Sequence, residues 1–120
     1  AMDICYKLHE KWNHKITRHI KDLNFEFDLL KSYDKQPNIV INTSCEHMWH
    51  MRDMHLPNKE ILYALQPNNF THEPAHISIA WDLDEFKYQC GLSEIEYEGC
   101  IPFHDHDDEY KRWMLIGYTS

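Results

Sequence analysis

A carboxylate and an imidazole stand side by side near the middle of the chain, shortly after an apolar run. Residues 39–41 are Ile, Val and Ile, and Asn42, Thr43, Glu46 and His47 follow them. A glutamate can act as a ligand or base, an imidazole exchanges protons near neutral pH, and an asparagine amide can hydrogen-bond a ligand. Glu46 and His47 are therefore candidate catalytic residues. The alternative is that these polar side chains only end a strand and satisfy loop amides.

A second polar group follows the next apolar run along the chain. Gln66, Asn68 and Asn69 come directly after residues 61–65, which read Ile-Leu-Tyr-Ala-Leu. Open α/β sheets bind ligands in the crevice beyond the carboxyl ends of their strands, so both polar groups are predicted to line one crevice. Ordinary turn chemistry explains the second group equally well.

Two segments mix imidazoles and carboxylates densely enough to raise the question of a metal site. Residues 46–55 contain Glu46, His47, His50, Asp53 and His55, and residues 104–109 contain two histidines among four acidic residues. Neither segment has the HExxH pattern or the Cys-His spacing of a zinc site. We therefore predict no metal site, and expect solvated acidic loops or adventitious cation binding instead.

The bulk composition predicts one soluble domain spanning residues 1–120. The chain is 42% hydrophobic, which is enough for a packed core, and its net charge of -8 would repel a phosphate backbone. We expect no nucleic-acid partner. No apolar stretch is long enough to cross a bilayer and no signal segment is evident, so we expect no membrane association and a cytoplasmic location. The four cysteines form no CxxC pair and are expected to be free thiols.

The periodicity of apolar residues predicts alternating helices and strands. A helix capped by Asp3 is predicted near the start, because apolar residues recur at every fourth position: Ile4, Leu8, Trp12, Ile16 and Ile20. A short strand over 25–30 follows. The β-branched run 39–41 predicts a strand covered on both faces, which is typical of a parallel sheet.

The second half of the chain is predicted to finish with a helix and a hairpin. A short helix or loop precedes Pro57, and residues 61–65 predict a buried strand. Asp82 or Asp84 is expected to cap a helix that stops at Gly91. Strands over 95–101 and 113–118 then form an antiparallel return joined by 104–109. The order predicts an α/β layered fold.

Several short motifs together resemble a family of class I S-adenosylmethionine-dependent methyltransferases from bacteria and their viruses. Residues 39–48 resemble the fourth strand of that family and its following loop, and 63–70 resemble the fifth strand and its loop. Residues 73–76 are similar to the next segment, 82–86 to the start of the next helix, and 111–117 to the final strand. The resemblance covers residues 38–120, with the motifs in the family's order.

This resemblance implies a truncated Rossmann-like methyltransferase sheet with flanking helices, mostly parallel and ending in an antiparallel hairpin. It implies a methyltransferase-like protein that uses S-adenosylmethionine on a small-molecule acceptor, with Glu46 and His47 as the catalytic residues. The implied cofactor contacts are Asp3, Asn42 and Thr43, although Asp3 serves equally well as a helix N-cap. The implied acceptor contacts are Gln66, Asn68, Asn69 and His76.

One departure from the family concerns the cofactor loop. The family begins with a strand and a Gly-rich turn, whereas the glycines of this chain stand only at positions 91, 99 and 117. In this fold the first strand lies beside the fourth, so its loss is expected to expose a sheet edge. The chain could hide that edge by re-pairing its own strands. Otherwise we expect a homodimer, which could swap strands, or a second polypeptide to cover the edge and complete the cofactor site.

Two other functions remain open at this point. The chain could be a non-catalytic remnant of the fold, such as a viral protein that binds and regulates a partner. It could also bind the cofactor in a rebuilt pocket and break it down.

Overall fold

The computed structural model of the protein describes residues 37–54, 56, 58–71, 73–105 and 108–119. The predicted helix over 4–20, the predicted strand over 25–30 and Asp3 lie outside the described residues. The described elements are β1 (Ile39–Asn42), two single-turn 3-10 helices (Cys45–His47 and Met51–Asp53), β2 (Leu62–Leu65), α1 (Leu83–Cys90), β3 (Glu94–Asp105) and β4 (Asp108–Tyr118).

The four strands form one open mixed sheet in the order β1-β2-β4-β3. β1 pairs with β2 in parallel, and β4 is antiparallel to both of its neighbours, β2 and β3. Three strands therefore run in one direction, and β4 is inserted among them in the opposite direction. This arrangement confirms a mixed α/β fold that ends in an antiparallel hairpin.

The predicted capping residues bound α1 at both ends: Asp82 caps its start and Gly91 its end. The Asp82 carboxylate accepts a hydrogen bond from the Glu85 amide at 2.8 Å, and the Glu85 carboxylate accepts one from the Trp81 amide at 2.8 Å. The bond to the Glu85 amide satisfies a donor that the first turn of a helix leaves without a partner, and the bond to the Trp81 amide ties the residue before the cap to that turn. Gly91 has a φ of 64°, a left-handed conformation that glycine adopts without steric cost.

The terminal hairpin is longer than the sequence pattern predicts. Its pairing runs from Glu94↔Tyr118 to Asp105↔Asp108, so the segment predicted as a connection is mostly paired strand. At the other end, the strands approach closely at Gly117. A Cβ atom there would lie far inside van der Waals contact with the Glu94 carbonyl oxygen.

The described core lies on one face of the sheet. It consists of strand residues together with residues of the β1–β2 connection and α1: Cys45, Met51, Met54, Leu56, Ile61, Tyr63, Leu65, Ala80, Phe86, Cys90, Trp113 and Leu115. On the other face, Ile39 and Ile41 of β1 remain 57% and 70% exposed. The expectation that this strand is covered on both faces is therefore wrong, because β1 is an edge strand of the described sheet and only Val40 and Asn42 alternate toward the core side.

Candidate functional site

The carboxyl ends of the two parallel strands lie side by side. The Gln66 amide donates to the Asn42 carbonyl at 2.8 Å, and the Cys45 amide donates to the Gln66 carbonyl at 3.1 Å. The parallel pairing thus continues one step beyond each strand. Because of this, the polar segments that follow β1 and β2 leave the sheet at the same place, as the sequence predicts.

The first 3-10 turn directs two adjacent ionisable side chains differently. Glu46 is 3% exposed, whereas the side chain of His47 is 41% exposed at the surface. Cys45 of the same turn is buried, and desolvation raises the pKa of its thiol to about 12. A thiol in this environment is a packing residue rather than a nucleophile.

A third segment is fastened to this turn by backbone hydrogen bonds. The Glu46 carbonyl accepts from the Ile77 amide at 2.8 Å and from the Ser78 amide at 3.0 Å. The Ser78 hydroxyl also donates to the Met48 carbonyl. These bonds hold His76, the residue before Ile77, against the buried carboxylate.

Glu46, His47 and His76 therefore form one cluster. Glu46 Oε1 lies 3.9 Å from His47 Nε2 and 4.0 Å from His76 Nε2, and the potential ligand atoms of the three side chains lie within 4.8 Å of one another. The two imidazole rings meet edge to face with their centroids 4.5 Å apart. This group could hold a metal ion. The sequence spacing did not predict such a site, because it considered Glu46 and His47 with residues 50–55 and not with His76.

Hydrogen bonds orient two members of the cluster. The Asn68 side-chain amide donates to Glu46 Oε1 at 2.9 Å, while Glu46 Oε2 is buried without a hydrogen-bond partner among the described residues. His76 Nδ1 lies 2.7 Å from the Phe70 carbonyl oxygen. Because a carbonyl only accepts, Nδ1 must carry a proton, and the lone pair of the neutral ring lies on Nε2.

The cluster opens into a small pocket of about 290 Å³. The pocket is lined by His47, Asn68, Phe70, Glu73, His76 and Tyr110. Phe70 and Tyr110 form an aromatic wall with their rings edge to face at 5.3 Å. The volume lies at the lower limit of ligand clefts, so the pocket suits a small molecule or part of a larger one.

Other predicted site residues hold the backbone instead of lining the pocket. The side-chain amide nitrogen of Asn42 donates to the sulfurs of Met48 and Met51 at 3.1 and 3.2 Å, and its side-chain oxygen Oδ1 accepts from the backbone amide of Ser44. Asn69 accepts from the Lys111 amide at 2.7 Å and so ties the second loop to β4.

The remaining predicted residues lie at the margin of the site. Gln66 accepts from Arg112 at 3.4 Å, and Thr43 is exposed after the end of β1. Asp3 is outside the described residues. Of the nine predicted residues, Glu46, His47, Asn68 and His76 are those that the structure brings together.

The sequence interpretation did not include three of the pocket residues, Phe70, Glu73 and Tyr110. It also grouped Glu46 with His50 and Asp53, which are near in sequence, and not with His76, which is 30 positions away. No local spacing rule connects these two residues. The only signal was the prediction that the segments following both strands share a crevice.

The second histidine-rich segment forms no comparable cluster in the part of the chain that the structure describes. His104 Nδ1 lies 3.5 Å from Glu109 Oε1, and both side chains are exposed. An exposed pair of this kind contributes little to stability and is readily hydrated.

Comparison of the chain with protein-family models, with curated proteins and with solved structures finds no match. Among the described residues, no helix is long and apolar enough to span a bilayer. The geometry of the pocket therefore carries the functional argument.

Proposed function

We propose that this chain is a class I methyltransferase-like domain that uses S-adenosylmethionine on a small-molecule acceptor. The observation that carries the proposal is the pocket at the carboxyl ends of β1 and β2, which His47, Asn68 and His76 line, with Glu46 buried beside them. The parallel pair β1-β2, followed by an antiparallel hairpin, agrees with the sheet that the sequence resemblance implies.

His47 is placed to take the proton that an oxygen or nitrogen acceptor loses during methyl transfer. When bound, S-adenosylmethionine supplies a methyl group attached to a positively charged sulfur. His47 stands at the pocket surface and accepts the acceptor's proton on Nε2. Glu46 Oε1, 3.9 Å from this nitrogen, stabilises the imidazolium that results.

The pocket residues fit the acceptor better than they fit the whole cofactor. Asn68 is held by the Glu46 carboxylate, and Phe70 and Tyr110 supply an apolar wall. A cleft of about 290 Å³ holds a small acceptor but not a nucleoside in addition. Of the predicted cofactor contacts, Thr43 is exposed and accessible, whereas the Asn42 amide is directed at two methionine sulfurs.

A second polypeptide completes the cofactor side in this proposal. Among the described strands, β1 pairs only with β2, so none of the described strands hydrogen-bonds to its other edge. Ile39 and Ile41 are largely exposed on the face beside that edge. Exposed apolar strand edges favour pairing with another chain, and we therefore propose a homodimer or a complex with a second chain here.

Calorimetric titration of the full chain with S-adenosylmethionine and with S-adenosylhomocysteine tests the proposal. We expect saturable binding of both, retained in a His47→Ala variant because this residue acts on the acceptor. His104→Ala, which changes an exposed histidine away from the pocket, is the matched control. Light scattering records the oligomeric state of the sample, and absence of binding heat for both ligands from the dimeric chain would refute the proposed function.

One observation favours a second candidate, a non-catalytic binding module. Asn42, a predicted cofactor contact, holds the β1–β2 connection against the core and presents no free amide. A binding module predicts that the chain forms a stable complex with another protein and binds neither cofactor form. The same titration separates the two candidates.

A further inference from the structure

We propose that Glu46, His47 and His76 form a binding site for a divalent first-row transition metal ion. The site goes beyond the proposed methyltransferase activity and does not depend on it. Two imidazole nitrogens and one carboxylate oxygen lie within 4.8 Å of one another, and both histidines line the pocket.

The distances within the cluster fit an ion better than direct hydrogen bonds. Glu46 Oε1 is 3.9 and 4.0 Å from the two Nε2 atoms, which is too long for hydrogen bonding. Bonds of about 2.1 Å in a tetrahedral geometry would place ligand atoms roughly 3.4 Å apart. The two Oε1–Nε2 distances therefore have to shorten by about 0.5–0.6 Å for the atoms to surround an ion. The widest separation in the cluster, which is within 4.8 Å, has to shorten by at most about 1.4 Å.

An orphaned oxygen points to the same conclusion. Glu46 is 3% exposed, and its Oε2 atom has no hydrogen-bond partner among the described residues. A buried acceptor without a hydrogen-bond partner lowers the stability of the folded state, and a buried carboxylate oxygen without a partner lowers it more. A cation at the cluster would neutralise the negative charge of the Glu46 carboxylate, which a single hydrogen bond from Asn68 only partly offsets.

The partners around the cluster are those expected of metal ligands. His76 donates from Nδ1 to the Phe70 carbonyl at 2.7 Å, which fixes the ring and leaves Nε2 to bind. Asn68 donates to Glu46 Oε1 at 2.9 Å and fixes the carboxylate. Metal-binding histidines usually donate their second nitrogen to a carbonyl or carboxylate in this way, and ligating carboxylates are themselves hydrogen-bonded.

The donor set selects the class of ion. Imidazole suits zinc, iron, cobalt and nickel, whereas magnesium and calcium prefer shells of oxygen ligands. Three protein ligands leave at least one coordination position open, and both histidines of the cluster line the pocket, from which a further ligand could reach the ion. An open position is typical of catalytic rather than structural metal sites.

Equilibrium dialysis of the full chain against Zn²⁺, Co²⁺ and Mg²⁺, with metal analysis, tests this inference. We expect one tightly bound Zn²⁺ or Co²⁺ per chain and no comparable binding of Mg²⁺. Removing a residue that only supports a ligand costs about 10–100-fold in affinity, so removing a ligand is expected to cost about 100-fold or more. Glu46→Gln, His47→Ala and His76→Ala should each show this loss.

Two comparisons keep the result interpretable, since the chain contains 10 histidines in total. His104→Ala removes an exposed histidine beside a glutamate and should bind metal as tightly as the unmodified chain. His47 is partly exposed, so its variant should fold even if His76→Ala does not, and circular dichroism checks this. Absorption by bound Co²⁺ should weaken in the His47 variant and not in the His104 variant.

The inference would be overturned by either of two results. One is the absence of Zn²⁺ and Co²⁺ binding by the full chain. The other is equal affinity in the unmodified chain, in His47→Ala and in Glu46→Gln, which would mean adventitious binding by other histidines.

Discussion

Replacing Glu46 with glutamine should have opposite effects on stability with and without metal. Without metal, the buried carboxylate accepts one hydrogen bond from Asn68, and its other oxygen has no partner in the part of the chain that the structure describes. Glutamine keeps an oxygen for Asn68 and removes the buried charge. Because neutral replacement of a poorly paired buried charge is often neutral or stabilising, we expect an unfolding free energy equal to that of the unmodified chain or up to about 2 kcal/mol higher.

With metal, the order reverses. At a free Zn²⁺ concentration 100 times the Kd of the unmodified chain, binding adds about 2.7 kcal/mol to its unfolding free energy. A variant that binds 100-fold more weakly gains only about 0.4 kcal/mol under the same conditions. The difference of about 2.3 kcal/mol corresponds to roughly 7–11 °C in Tm for a domain of this size.

The assay is thermal unfolding by circular dichroism, run with a chelator and then with buffered Zn²⁺. The reasoning would be refuted if Zn²⁺ raised the Tm of Glu46→Gln as much as that of the unmodified chain. It would also be refuted if the unfolding free energy of the variant in chelator were lower by more than about 2 kcal/mol. The carboxylate would then be a hydrogen-bond acceptor that the fold needs, and not a group kept for binding metal. His104→Ala serves as the control in both conditions.

Three further perturbations test the fold that supports the site. Tyr63→Phe should cost about 1–3 kcal/mol in urea unfolding, because the Tyr63 hydroxyl accepts from the buried Leu56 amide at 3.0 Å and phenylalanine leaves that amide unpaired. Asp82→Ala should lower the unfolding free energy by about 1 kcal/mol in the same assay through loss of the α1 cap. Asp82→Asn should retain most of the stability that the cap contributes, because asparagine is also a good N-cap residue. Since burial raises the pKa of Cys45 from 9.0 to about 12, the unfolded chain loses this proton first, and stability should fall as pH rises above about 9. Cys45→Ala should reduce that fall, and in native protein a thiol reagent should modify exposed Cys100 much faster than Cys45.

Local patterns in the sequence predicted the described elements well, because local chemistry determines them. The apolar runs at 39–41 and 61–65 became the parallel pair β1-β2, and Asp82 and Gly91 delimit α1 as their capping chemistry requires. The hairpin was underestimated at 104–109. There the polar composition indicated a connection, whereas backbone pairing extends β3 to Asp105 and β4 back to Asp108.

The candidate site could be predicted only in part, since long-range backbone contacts assemble it. Glu46 and His47 were recognisable because an acid and an imidazole follow a strand. His76 joins them only through the bonds from Ile77 and Ser78 to the Glu46 carbonyl, which no sequence spacing encodes. For Asn42, position at the carboxyl end of β1 suggested a ligand contact. Its side-chain amide is instead bonded to two methionine sulfurs, so position alone did not determine its role.

The two proposals make competing demands on His47, and this competition is itself testable. Its Nε2 atom cannot both ligate a metal ion and take a proton from an acceptor. If the metal is bound during methyl transfer, the ion lowers the pKa of an acceptor coordinated at its open position, and His47 acts as a ligand. Transfer should then be lost on treatment with a chelator and restored by Zn²⁺ or Co²⁺. If His47 is the base, a chelator should leave transfer intact, and His47→Ala should abolish it without changing S-adenosylmethionine binding.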